Sequence, residues 1–155
     1  KIVLLAFMIL GGCSGSTTGG IKIIRVLIVF KSIFNEIKRR ISPNVILTVK
    51  INGKAVDEDV VRGEFSFLFL YLLICVVSAV LLLILENNVT SLSALSAVIS
   101  SIANVGPGFE QINPHSNYSF FSDQSKILLC LLMLFGRLEL FTMIALLLPS
   151  FWKKY

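Results

Sequence analysis

Charge is scarce in this sequence of 155 residues. Only 15% of the residues are Asp, Glu, Lys or Arg, whereas 55% are hydrophobic, and the mean hydropathy is +0.87. A soluble domain carries about 25% charged residues, so the composition favours a protein embedded in a membrane. One segment, 65–85, has no charged residue at all. It is about as long as the roughly 20 residues that a membrane-spanning helix requires.

Residues that build metal centres and catalytic sites are also few. Cys13, Cys75 and Cys130 are far apart, no CxxC pair occurs, and His115 is the single histidine. This pattern argues against a zinc site. The sequence has no paired carboxylates, no nucleophile beside a base, and no phosphate-binding glycine loop followed by lysine and serine. We therefore expect neither an enzyme nor a protein with an organic cofactor.

Basic residues are concentrated in two places. Most lie in or beside one connecting segment: Lys31, Lys38, Arg39, Arg40, Lys50, Lys54 and Arg62. Lys153 and Lys154 lie near the C-terminus, whereas 113–124 has neither lysine nor arginine. The positive-inside rule places 36–63 and the C-terminus in the cytoplasm, with 109–123 outside. Because these basic residues border membrane spans, they favour contact with lipid headgroups over nucleic-acid binding.

Two apolar segments flank a shorter one. With the connecting segment in the cytoplasm, 65–85 runs outward and 127–148 runs back. Between them, 90–104 predicts a helix of about 22 Å, which is too short to span a membrane comfortably. The glycine-proline loop at 104–108 then breaks this helix. A short helix, a break and a return to the same side predict a re-entrant pore segment.

A second glycine-rich segment, 11–20, directly follows the apolar residues 2–10. Glycine permits left-handed backbone, so that successive carbonyl groups can point one way. Non-helical backbone at membrane depth must be buried in protein or line a watery cavity, and a ring of carbonyl oxygens can replace the hydration shell of potassium. We interpret 2–10 as the end of a pore helix, 11–16 as its loop, and 18–40 as an inward-running helix that is unusually polar.

The connector at 43–63 contains Pro43, an alternating apolar and polar stretch, and Asn52-Gly53. This pattern is consistent with a short cytoplasmic hairpin or with an extended linker.

Three motifs in register resemble those of one transporter family. GGCSGSTTGGIK, ANVGPG and LFGRLELFT begin at residues 11, 103 and 134. They are similar to signatures of the Trk/Ktr/HKT superfamily of potassium transporters, and most of all to its bacterial TrkH branch. The ending at 149–153 is also similar. One such motif would be weak evidence, whereas three in order and at similar spacing are specific.

The resemblance implies an all-α, polytopic membrane protein with re-entrant pore helices and filter loops. The family has four pseudo-repeats, each helix–pore-loop–helix, around one pore. By this likeness, 1–42 is the end of the third repeat, 43–63 is the cytoplasmic connector, and 64–155 is the whole fourth repeat. The first residue is Lys1 and no signal peptide is visible, so we expect the chain to be part of a larger protein.

The resemblance also implies a potassium site made of backbone carbonyls from two filter strands. The third strand would be Cys13, Ser14, Gly15 and Ser16, and the fourth Asn104, Val105, Gly106 and Pro107.

A gate is implied as well. Arg137 matches an arginine that projects into the pore below the filter, although a structural ion-pair role is the alternative. By register, Ser32, Ile33 and Phe34 coincide with an intramembrane gating loop, but the glycine expected there is missing. Glu139 is two residues from Arg137, so the two side chains point to opposite faces of a helix and cannot pair with each other.

The expected function is potassium uptake across the inner membrane. A sodium-permeable or sodium-coupled member of the superfamily is one alternative, and a non-transporting membrane scaffold is another. The expected partners are the remainder of the four-repeat pore, a second copy in a homodimer, a cytoplasmic nucleotide-binding regulatory ring and membrane lipid.

Overall fold

In the part of the chain that the structure describes, the regular elements are α-helices, one small hairpin and two short 3-10 turns. The computed structural model describes residues 2–10, 20–42, 48–51, 54–114, 116–138 and 140–147. In chain order the elements are α1 (Ile2–Ile9), α2 (Ile23–Ile41), β1 (Lys50–Ile51), β2 (Lys54–Ala55), α3 (Glu58–Leu85), α4 (Ser91–Ala103), the 3-10 turns Glu110–Ile112 and Tyr118–Phe120, α5 (Asp123–Arg137) and α6 (Leu140–Leu147). The predicted all-α class is confirmed.

The longest helix is α3. Among the described residues it is the one helix long and apolar enough to cross a membrane. Its 28 residues give a length of about 42 Å at 1.5 Å per residue. The helix ends at Leu85 as predicted but begins at Glu58 rather than at residue 65. Glu58 and Asp59 lie in its first turn, where acidic side chains interact favourably with the helix dipole.

One face of α3 is buried and the others are not. The buried residues recur at helical spacing: Phe67, Tyr71, Cys75, Ser78, Ala79 and Leu82. Large apolar side chains such as Phe69 and Ile84 are each 69% exposed. Contiguous apolar surface of this kind needs a lipid or protein neighbour.

The centre of the fold is α4. Its N-cap is Thr90, whose hydroxyl accepts a hydrogen bond from the Ser93 N–H at 3.3 Å, and its C-cap is Asn104 in the left-handed conformation at φ 54°. The short helix predicted over 90–104 is therefore confirmed. Every residue from Ser96 to Ala103 is buried, because α1, α3 and α5 all pack against α4. Its serines and alanines are small enough to allow this close packing.

The contact between α4 and α5 is made by backbone against backbone. A Cβ atom added to Gly136 would overlap the carbonyl group of Ile102, near the end of α4. Beside this contact, the side-chain Nδ2 of Asn104 donates to the Met133 carbonyl at 3.3 Å. Glycine at 136 is therefore required for α5 to reach the end of α4.

The second apolar segment differs from the single span predicted over 127–148. The structure has two helices, since α5 ends at Arg137 and α6 begins at Leu140. Leu138 caps α5 with φ −92° and ψ 9°, and its N–H donates to the Leu134 carbonyl. Gly136 precedes the break, and glycine costs about 1 kcal/mol relative to alanine inside a helix. The glycine that permits the α4 contact thus also weakens α5 at its end.

One carboxylate joins the end of α3 to the start of α5. Glu86 Oε1 accepts hydrogen bonds from the Ser122 N–H and from the Ser125 hydroxyl, both at 2.7 Å. These hydrogen bonds lower the pKa of Glu86 from its ordinary value. The bond from the Ser122 N–H has the largest effect, and the hydroxyl groups of Ser125 and Ser122 add to it. The end of α3 and the start of α5 are therefore tied together.

The connector folds as the hairpin that was one of the two predicted possibilities. β1 and β2 pair antiparallel, with Lys50 opposite Ala55 and Ile51 opposite Lys54. The predicted turn residues 52–53 lie outside the described residues. Lys31 Nζ on α2 donates to the Lys50 carbonyl at 2.9 Å, so the hairpin is fastened to α2.

The α4–α5 contact predicts that Gly136→Ala is strongly destabilising in the full-length protein. The added methyl group cannot occupy the position of the Ile102 carbonyl, and such overpacking costs about 1–3 kcal/mol or more. Gly63→Ala is the matched control, because a Cβ at Gly63 meets no described atom within 4 Å. Thermal unfolding in detergent should show a large loss for Gly136→Ala and none for Gly63→Ala. Equal stability of the two variants would contradict the contact.

Candidate functional site

The described residues that flank the first glycine segment lie near the C-terminal end of α4, where the second glycine loop begins. The chain leaves α1 at Leu10 and returns at Ile21, and these two residues form a parallel β-bridge. Gly20 has φ +84°, and a Cβ there would lie 3.4 Å from the Cβ of Ala103. Ala103 directly precedes the second glycine loop, so the fold brings the end of the first glycine segment beside the start of the second.

Most of the first loop is not described. Residues 11–19 lie outside the described part of the chain, and with them Cys13, Ser14, Gly15 and Ser16 of the expected third filter strand. Their placement stays a prediction. What the described residues provide is the closure of this loop, since Leu10 and Ile21 are held next to each other.

The second loop has the backbone that its glycine predicted. Asn104 has φ 54° and Gly106 has φ +107°, which is a conformation that favours glycine. Three successive N–H groups point back to α4: Asn104 N–H donates to the Ser101 carbonyl at 3.2 Å, Val105 N–H to the Ser100 carbonyl at 3.0 Å, and Gly106 N–H to the Ser100 hydroxyl at 3.1 Å.

The carbonyl groups of this loop are placed differently from its N–H groups. Within the described residues, the Asn104, Val105 and Pro107 carbonyl oxygens accept no hydrogen bond. All three residues are exposed. Carbonyl oxygens that are not used within the fold can coordinate a cation such as potassium.

Serines on one face of α4 support the rest of the loop. Ser96 Oγ accepts from the Phe109 N–H at 3.0 Å, and Ser93 Oγ accepts from the Gln111 N–H at 3.5 Å. Together with Ser100 they recur at three- and four-residue intervals and so share a helix face. The sequence showed a serine-rich helix but not this role, because the partners are 6 to 18 residues away.

An acidic side chain lies just beyond the loop. Thr90 Oγ1 donates to Glu110 Oε2 at 2.5 Å, and Ser93 Oγ lies 3.4 Å from the same oxygen. Glu110 has φ 57°, which is uncommon for a residue other than glycine. These bonds join the residues after the loop to the N-terminus of α4. The segment from the loop to Glu110 is therefore hydrogen-bonded to both ends of α4.

Arg137 is the last residue of α5 and is exposed. It directly follows Gly136, which packs on Ile102 at the base of the second loop. The structure therefore places Arg137 next to the α4–α5 contact, and its projection into a pore stays a prediction. Glu139 lies outside the described residues.

The loop expected at the second gate position is not observed. Ser32, Ile33 and Phe34 lie within α2, which is one continuous helix from Ile23 to Ile41. The expectation of a break there is corrected: this stretch contains neither glycine nor proline, the residues that most often interrupt a helix. Ile33 and Phe34 are exposed, and a gating role for them stays a prediction.

Arg25, near the N-terminus of α2, is accommodated by residues of α3. Arg25 lies 3.5 Å from the Glu64 carboxylate of α3, and both side chains are largely buried. Its guanidinium group also lies 4.0 Å from the centre of the Phe67 ring, a favourable cation–π distance. A buried charge is normally paired, and Arg25 follows that rule.

Comparison with known proteins identifies the family. A short buried helix that ends in a glycine loop and packs against the long apolar helix α3 is typical of an all-α pore-loop membrane protein. More particularly, the chain belongs to the TrkH family of cation transport proteins, whose sequence model matches residues 1–154.

Individual relatives agree with this assignment. The chain is 36% identical over 153 residues to the Trk system potassium uptake protein TrkH of Escherichia coli K12, covering 99% of this chain and 31% of the relative. It is 38% identical over 152 residues to TrkH of Vibrio parahaemolyticus, covering 98% of this chain and 30% of the relative. The crystal structure of the potassium transporter TrkH from V. parahaemolyticus superposes with a TM-score of 0.84 at 37% identity, covering 98% of this chain and 32% of that one. The chain thus spans about a third of the length of these relatives.

Proposed function

We propose that this chain forms part of a potassium uptake pore in the inner membrane. The observation that carries the proposal is the second glycine loop, whose N–H groups bond to α4 while the Asn104, Val105 and Pro107 carbonyls are unused among the described residues. Relatives that carry the name potassium uptake protein support potassium as the transported ion.

In this proposal the loop at 104–107 is the fourth strand of a selectivity filter. Potassium loses part of its hydration shell and binds successive backbone carbonyls. Residues 13–16 supply the third strand, since the chain brings the closure of that loop beside Ala103. The other strands come from the remainder of the pore, because the chain spans about a third of its relatives.

The proposed organisation follows the same likeness. Residues 1–42 end the third repeat, 43–63 form a cytoplasmic connector, and 64–155 form the fourth repeat. With α3 as a membrane span, the basic hairpin lies inside and the residues after α4 lie outside. The proposed partners are the rest of the pore, a second copy in a homodimer, a cytoplasmic nucleotide-binding ring that contacts the basic segment, and lipid around the exposed face of α3.

The filter assignment predicts that Gly106→Ala in the full-length protein reduces potassium selectivity or uptake without preventing insertion. A Cβ at Gly106 meets no described atom within 4 Å, so the effect arises from its φ of +107°, where a side chain costs about 1–3 kcal/mol. Gly63 has the same open surroundings without the positive φ, which makes Gly63→Ala the control. The measurement is uptake of potassium and sodium per inserted molecule. Normal flux and selectivity in Gly106→Ala would favour the non-transporting scaffold, and sodium uptake equal to potassium uptake in the unmodified protein would favour the sodium-permeable alternative.

The gate assignment predicts that Arg137→Ala raises cation flux. A cation beside the filter repels an arriving potassium ion, and low-dielectric walls screen this repulsion poorly. Lys126→Ala serves as a control, because Lys126 lies near the start of α5, at the opposite end of that helix from Arg137, and pairs with Asp123 at 3.4 Å. Flux per inserted molecule should rise only for Arg137→Ala. Unchanged or lower flux with a large loss of thermal stability would assign Arg137 a structural ion-pair role instead.

A further inference from the structure

The peptide groups on both sides of Gly106 are held by side chains from different parts of the fold. Its N–H donates to the Ser100 hydroxyl of α4 at 3.1 Å. Its carbonyl oxygen accepts from the Tyr118 hydroxyl at 2.8 Å. Gly106 is thus the one residue of 104–107 whose carbonyl is used by a described side chain, and that side chain comes from the opposite end of the outer segment.

Tyr118 is itself firmly placed. It begins a 3-10 turn, Tyr118–Phe120, whose N-cap Asn117 accepts from the Ser119 N–H at 3.3 Å. The Tyr118 ring stacks on Phe121 with ring centres 5.9 Å apart, and Phe121 is only 2% exposed within the core. The 3-10 turn and the contact with Phe121 therefore fix the ring from which the hydroxyl group reaches Gly106.

The hydroxyl is also a dependable donor. Burial raises the pKa of Tyr118 above its ordinary value, and the neighbouring Ser100 hydroxyl offsets only part of this effect. Since an ordinary tyrosine already keeps its proton at neutral pH, the Tyr118 hydroxyl can donate to the Gly106 carbonyl. Ser100 thus bonds to the N–H group of Gly106, and Tyr118 bonds to its carbonyl oxygen.

A simple packing role would account for the ring but not for the aim of the hydroxyl. The ring already packs on Phe121, and a half-buried tyrosine hydroxyl could bond to water instead. A carbonyl oxygen has two acceptor directions, so a bond from Tyr118 takes one of them and restricts rotation of the peptide group that contains it. In a filter, that rotation decides whether a carbonyl faces the ion path.

We infer that Tyr118 is a positioning residue of the fourth filter strand, which tunes potassium-over-sodium discrimination by fixing the Gly106 carbonyl through its hydroxyl. The inference rests on the proposed function, because it requires 104–107 to be a filter strand. Its effect is distinct from that of Gly106→Ala, since Tyr118→Phe leaves the sequence of the strand unchanged.

The test is Tyr118→Phe in the full-length protein, with potassium and sodium uptake measured per inserted molecule. Tyr71→Phe is the matched control, because the buried Tyr71 hydroxyl has no hydrogen-bond partner among the described residues. We expect the potassium-to-sodium ratio to fall about two- to tenfold in Tyr118→Phe, the range that one lost hydrogen bond supplies, and to stay constant in Tyr71→Phe. Thermal stability should change little, because the ring contact with Phe121 remains.

A second pair of variants covers the case in which Tyr118→Phe does not insert. p-Aminophenylalanine at position 118 keeps a donor on the same ring, whereas p-methylphenylalanine has similar size and no donor. The amino variant should retain discrimination and the methyl variant should lose it. An unchanged ratio in Tyr118→Phe, or equal ratios in this pair, would overturn the inference while Gly106→Ala still reports on the filter. If Gly106→Ala also leaves selectivity intact, the proposed function fails and the inference fails with it.

Discussion

The hydrogen bonds from the second glycine loop to α4 are the constraint on which the rest of the structure depends. Non-helical backbone inside an apolar fold needs partners for its polar groups. Here Ser93, Ser96 and Ser100 accept from loop N–H groups, and the last carbonyls of α4 accept from Asn104 and Val105. Because these N–H groups bond to α4, the carbonyls of Asn104, Val105 and Pro107 are left unused among the described residues, while that of Gly106 accepts from Tyr118.

Close packing around α4 follows from this requirement. The serines that bond to the loop have small side chains. Because α4 is therefore narrow, α1, α3 and α5 can pack closely against it. The approach of α5 is limited by backbone atoms at Gly136 and Ile102. Since packed interiors tolerate little added volume, the position of the loop is coupled to that of α5 and therefore to Arg137 at its end. The second glycine loop and Arg137 are in this way connected through the contact between Gly136 and Ile102.

Features with local signals could be predicted from the sequence. The bounds of α4 follow from Thr90 as an N-cap and from the glycine-proline loop, and the C-terminal end of α3 follows from its uncharged run. The left-handed backbone at Gly106 was predictable for the same reason, because glycine is the residue that adopts it without strain. The hairpin was one of two possibilities, which its Asn-Gly pair could not separate from a linker.

Features set by distant contacts could not be predicted. The close approach of Gly136 to Ile102 joins residues that are far apart in the sequence, and the bond from Tyr118 to Gly106 joins residues 12 apart that no periodicity connects. The continuous helix through Ser32–Phe34 had a local signal, the missing glycine, but the family resemblance suggested a break there. Local chemistry was the better guide at that position.

The most direct measurement is a crystal structure of the full-length protein with thallium, whose ion has the charge of potassium and a similar size. Anomalous scattering should show ions in contact with the carbonyl oxygens of Asn104 and Val105, which the described fold leaves unused. Ions in contact with other groups, with none at 104–107, would contradict the assignment of this loop as a filter strand.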